Sequence, residues 1–178
     1  RATQMMRRLD KDVLSRKADW MTLSCGVNDV GHRDGQGVPL ELFSASVAQI
    51  VERCQVAGVK VMILTATMVG EDQSNPGNQR LMAYNGILRR VASERNCLLA
   101  DLNADMQAAI TKARAAGQKD NILTVDGVHM NAAGHRVMAT GILKAFGLNA
   151  EQMANAGKAW DDGAQERGSG AVGGTGSR

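Results

Sequence analysis

Apolar positions along the chain follow two alternating rhythms. Over residues 2–16, Met5, Met6, Leu9 and Val13 recur at helical spacing with charges opposite, which predicts an amphipathic helix. "WMTLSC" at 20–25 is short, apolar and strand-like. Pro39 then opens a second helix with Phe43, Val47, Ile50, Val51 and Cys54 inward, and Gly58 serves as its C-cap. "VKVMIL" at 59–64 predicts a buried strand. A third helix buries Leu81, Tyr84, Leu88 and Val91 and stops at Asn96, where "CLLAD" at 97–101 supplies a third strand. A helix near 103–116 ends at Gly117. Asn131 caps another that holds Val137, Met138, Ile142 and Phe146 and ends at Gly147, and a short last helix is expected at about 149–160.

Strands that alternate with helices predict an α/β fold, a parallel sheet covered on both faces. In such sheets sites form at the carboxyl ends of the strands. That rule places two loops together, "GVNDVGH" after the first strand and "DGVHMN" before the helix capped by Asn131. Residues 1–160 read as one domain. The segment 161–178, "DDGAQERGSGAVGGTGSR", has almost nothing apolar to bury and is expected to be a disordered tail.

Composition narrows the function. Of 178 residues, 44% are hydrophobic and 22% charged, ordinary for a globular protein. The net charge of +3 is small and scattered, and aromatics make up 3%, so neither a phosphate-binding face nor a stacking platform for nucleic acid is expected. No run of about 18 apolar residues suggests a membrane span. Cys25, Cys54 and Cys97 lie in apolar segments without CxxC spacing and read as small buried side chains.

The two loops carry the candidate chemistry. A histidine works as a general base when one ring nitrogen faces the proton it takes and the other donates to a fixed acceptor. Asp126, three residues before His129 in a turn eased by Gly127, can be that acceptor. The same spacing also suits a pair that only caps the next helix. In "GVND", the amide of Asn28 at a strand end can point donors into a cleft, as an oxyanion hole requires, Gly26 lets backbone approach a substrate, and Asp29 can bond neighbouring loop amides. An Asx-turn leaving the strand is the plainer reading of these residues. His32 is a candidate substrate contact; Glu71 and Asp72 could line the cleft too, though exposed loop carboxylates usually have no chemical role.

Together the motifs are more specific than either alone. Gly26-Val27-Asn28-Asp29 after a strand, with Asp126-Gly127-Val128-His129 near the C-terminus, resembles the SGNH hydrolases, or GDSL-type esterases, over about residues 1–147. The resemblance implies a three-layer α/β/α, flavodoxin-like fold and a Ser–His–Asp hydrolase of small-molecule or carbohydrate esters. His129 would be the base, Asp126 its orienter and Asn28 an oxyanion donor. It implies no metal or organic cofactor.

Two family blocks have no counterpart here: the G-D-S block with the nucleophile, and the block whose glycine gives another oxyanion donor. The expectation is therefore an N-terminally truncated fragment lacking the first strands, inactive and poorly soluble alone. Ser24 is the tempting substitute, but a strand position should turn its hydroxyl toward the core or a covering helix. Two rival readings remain. One is a catalytically dead binding module of the same fold. The other is a metal-dependent hydrolase with Asp29, His32, Asp126 and His129 as ligands.

Overall fold

The computed structural model describes residues 1–31 and 35–169, with side chains through Asp161. Its centre is a parallel sheet of β1 (Trp20–Ser24), β2 (Lys60–Leu64) and β3 (Leu98–Ala100), in spatial order β1-β2-β3. Thr22 lies opposite Met62, and Met62 opposite Leu98. Helix α1 (Ala2–Asp12) and a 3₁₀ turn (Leu14–Arg16) precede β1, α2 (Leu40–Val56) joins β1 to β2, and α3 (Pro76–Glu94) joins β2 to β3. After β3 come α4 (Leu102–Ala115), α5 (Ala132–Ala145) and α6 (Ala150–Ser169).

β2 shows why the sheet needs two helical layers. Successive side chains of a strand point to opposite faces. Val61 and Ile63 belong to a core built with Leu9 of α1, Phe43, Val47 and Ile50 of α2, and Leu81 and Leu88 of α3. Met62 and Leu64 pack on the other face with Leu102, Met138 and Ile142. The three-layer α/β/α arrangement follows from that alternation, and the element order agrees with the one expected from the sequence.

β1 pairs only with β2 among the described residues, so it is an edge of the described sheet, as expected for a chain lacking the first strands, and Trp20, Thr22 and Ser24 are exposed. Two expectations change. Ser24 therefore does not face the core or a covering helix. Helix α6 continues to Ser169, past the expected boundary at 160 and into the segment read as tail. A polar helix needs only ordinary propensity and a few attachments, and here Arg136 of α5 binds Asp161 and stands 5.6 Å from the Trp160 ring. Residues 170–178 lie outside the described residues.

Candidate active site

The first loop starts where β1 ends. Gly26 has φ +122°, and a Cβ there would stand 2.6 Å from the Ala66 Cβ, so only glycine lets this loop lie against the one after β2. The Val30 N–H donates to the Gly26 carbonyl at 2.9 Å and closes the turn. Asp29 is wholly buried beneath it. Its carboxylate accepts from the Gly26 N–H at 3.1 Å and from the Ala2 N–H, in the first turn of α1, at 2.7 Å. Asp29 is thus a clasp between α1 and the loop. Gly26 gives its N–H to that clasp, so it is not a free oxyanion donor.

Asn28 remains at the tip, exposed and without a hydrogen bond to another described residue. It lines a cleft of about 340 Å³ with Ser24, Cys25, Gly26, Ala66 and Thr67. Burial, with a smaller effect from Asp29, pushes the Cys25 thiol up to about 12, so it is not a thiolate at neutral pH.

The second loop spans 122–131 and closes as a small hairpin. Thr124 and Met130 form an antiparallel bridge, and the Val125 N–H donates to the His129 carbonyl at 2.8 Å. Gly127, at φ +90°, makes the reversal. Inside it, Asp126 Oδ1 accepts from the Val128 and His129 N–H groups at 3.0 and 2.8 Å, while Oδ2 lies 2.7 Å from His129 Nδ1. The His129 N–H, the His129 ring and the Val128 N–H hold the Asp126 carboxyl well below the usual carboxylate range. It is therefore ionised at neutral pH and favours the His129 tautomer with its proton on Nδ1, which leaves Nε2 as an acceptor. Both side chains are more than half exposed. The helix cap is a separate matter. Asn131, not the Asp–His pair, accepts from Gly134 N at 3.0 Å to start α5.

Asp126 and His129 are paired, but neither lines the cleft that holds Asn28. The loop after β2 lies between the two sites. Its Ala66 and Thr67 face the cleft, and its Gly70 N–H donates to the Gly127 carbonyl at 2.6 Å. His32 falls outside the described residues. Among the described residues no group of three or more His, Cys, Asp or Glu is arranged to hold a metal ion, and the Asp29 carboxylate is engaged by backbone amides. No described helix is long and apolar enough to cross a membrane.

The residue that sequence reasoning misjudged is Glu71. Expected to be an idle loop carboxylate, it is buried, and it accepts from Ile122 N, Leu123 N, Thr124 N and Thr124 Oγ1 at 2.7–2.8 Å. Nothing in the local pattern marks it, because its four donors lie about fifty residues downstream.

Comparison with known proteins gives the architecture a context. The model of the GDSL-like lipase/acylhydrolase family matches residues 1–137. An acetylxylan esterase of Geobacillus stearothermophilus is 23% identical over 147 residues, covering 79% of this chain. The chain spans 65% of the length of that relative. The crystal structure of an acetyl xylan esterase, AlAXEase, superposes with a TM-score of 0.76 at 32% identity, over 82% of this chain and 75% of that one. An α/β hydrolase enzyme from the metagenome of Lake Arreo, Spain, gives 0.72 at 26% identity, over 84% and 69%. The matched segment contains both the Gly26–Asp29 turn and the Asp126–His129 pair, and the chain belongs to the GDSL-like lipase/acylhydrolase family.

Proposed function

We propose that this chain carries the base and one oxyanion donor of a serine ester hydrolase. The observation that carries the reading is the 2.7 Å contact between Asp126 Oδ2 and His129 Nδ1 on an exposed loop, in a chain of this family. His129 Nε2 takes the proton of a serine hydroxyl as its oxygen attacks the ester carbonyl. The tetrahedral oxyanion accepts hydrogen bonds, one of them from the Asn28 amide. Collapse breaks the C–O bond, and the imidazolium returns its proton to the leaving alcohol. Water then attacks the acyl-enzyme, again losing its proton to His129, which passes it to the departing serine oxygen as the acid is released.

The serine in this reading is supplied by a segment outside the 178 residues. Two features favour that placement: the relative is longer than this chain, and no described hydroxyl hydrogen-bonds to His129. The substrate in this reading is an acetyl ester on a carbohydrate, a class suggested by two similar proteins bearing the name acetyl xylan esterase.

A fluorophosphonate probe tests the whole reading. In the full-length enzyme it should label one serine outside these residues, and the isolated 178-residue chain should remain unlabelled and fail to release acetate from acetylated xylo-oligosaccharides. In the full-length enzyme His129→Ala should lower kcat by a factor on the order of 10⁴ or more, and Asn28→Ala by about 10²–10³. A labelled serine within the chain refutes the placement of the nucleophile. A near-normal rate in His129→Ala refutes the mechanism.

A further inference from the structure

We infer that Glu71 is a positioning residue for the Asp126–His129 pair, its carboxylate holding the base of their loop in the one conformation that aims Asp126 at the imidazole. The inference rests on the reading of His129 as the base.

An ionised carboxylate has about four acceptor positions, and here it takes four donors, three on one oxygen and one on the other. Oε1 accepts from Leu123 N, Thr124 N and Thr124 Oγ1, and Oε2 from Ile122 N, with the Arg114 guanidinium 3.9 Å away. Because the Thr124 hydroxyl gives its proton to Glu71, its oxygen is left to accept, and it takes the Gly127 N–H at 3.1 Å. The Gly127 carbonyl in turn accepts from Gly70 N, the residue beside Glu71. Both peptide groups flanking Gly127 are therefore tied to one dipeptide of the preceding loop. Asp126 precedes Gly127 directly, and the rotation of that peptide decides where its carboxylate points.

The dipeptide is itself held. Asn78, buried in α3, accepts from Val69 N and donates to the carbonyls of Gly70 and Asp72. Asn75 donates to the carbonyls of Val69 and Asp72. A side chain at Gly127 would crowd this contact, since a Cβ would stand 3.2 Å from Gly70 Cα, and its φ of +90° disfavours one in any case. The path from the α3 N-terminus to the imidazole thus runs through named hydrogen bonds, and Glu71 is the one ionised group in it that contacts neither His129 nor Asp126. A glutamine there keeps one acceptor oxygen and presents an N–H₂ in place of the other, so even with the oxygen left to Leu123 and Thr124 the Ile122 N–H faces a donor, while the side chain keeps its shape.

The test is nuclear magnetic resonance on the full-length enzyme, with the His129 ring assigned by its absence from the spectrum of His129→Ala. Long-range ¹H–¹⁵N spectra of the neutral imidazoles report the tautomer of His129, and amide exchange reports the loop. In the wild type His129 should be protonated on Nδ1. Glu71→Gln should keep amide protection across β2, lower it at least tenfold at Val128 and His129, and shift His129 toward the Nε2-protonated form. Thr124→Val, which keeps the carboxylate but removes the relay hydroxyl, should move both readouts the same way by less, and it decides the matter if Glu71→Gln does not fold. A folded Glu71→Gln, or failing that a folded Thr124→Val, with the wild-type tautomer and wild-type protection at Val128 and His129 overturns the proposal. A wild-type His129 already protonated on Nε2 instead overturns the base reading, and is seen before any substitution is made.

Discussion

A carboxylate surrounded by four donors titrates differently from one in water. Burial raises the Glu71 carboxyl, but the donors Ile122 N, Thr124 Oγ1, Leu123 N and Thr124 N outweigh it and hold the group below its ordinary value. A folded-state pKa below the unfolded one stabilises the fold above the unfolded value, about 4.3 for glutamate. That contribution disappears as pH falls through the folded value. Asp101, also raised by burial but held down by Arg89 and Thr65, has the same sign. Thermal unfolding should therefore move to lower temperature as pH drops from 6 to 3. Glu71→Gln should cost about 1–3 kcal/mol at neutral pH, because at least the Ile122 N–H loses its acceptor, and should flatten the acid limb of the profile. An acid limb identical in slope to the wild type's would show that Glu71 does not contribute to it. Gly26, Asn28, Asp126 and His129 were recognisable as a set because each pair lies within four consecutive residues, so local geometry suffices. Glu71 was not, since its partners are distant in the chain and a lone glutamate in a polar loop carries no local signature.

The elements were legible because their signals are local. The start of α3 is an exception: "NPGN" at 75–78 reads as loop, whereas the structure has the Asn75 side chain accepting from Asn78 N with proline in the first turn. Asn131 does mark the start of α5, and its side chain has a second task. It donates to the Ile122 carbonyl at 3.0 Å, so the cap also fastens the loop that carries Asp126. Asn131→Ala should therefore lose more than an ordinary cap, about 1–2 kcal/mol by chemical denaturation. Asn131→Ser keeps a capping oxygen but cannot reach the carbonyl and should recover only part of the loss. Equal stability of the serine variant and the wild type would leave the cap as the whole contribution. The end of α6 was harder to place. Residues 161–169 have too little apolar content to declare a helix, and attachments such as Arg136 to Asp161 come from another element.

At the scale of the molecule, β1 is where the described sheet stops. Its outer edge is unpaired among the described residues, and Trp20 stands 39% exposed beside it, edge-on to Phe146. An apolar strand with free N–H and C=O groups is a template for another strand. Light scattering of the 178-residue chain should show self-association that rises with concentration, and Thr22→Lys, an exposed substitution on that strand, should reduce it with little change in thermal stability. Equal association of the two proteins would remove the edge as its cause. The same geometry explains Ser24. It lies in β1 as the pattern predicts, but an inward-facing hydroxyl presumes cover that is absent there among the described residues.

By itself the sequence determined the rhythm of helices and strands, the parallel three-layer arrangement that rhythm demands, and the two short motifs of the site. Those properties depend on residues a few positions apart, where backbone periodicity converts directly into geometry. Tertiary structure alone decided that Asp29 is an internal clasp on α1, that Gly26 lies against Ala66, and that Glu71 accepts from the backbone at the base of the loop that carries Asp126 and His129. Each of these joins groups that meet only when distant segments pack, and whether a carboxylate is idle or clamped depends on which donors surround it after folding.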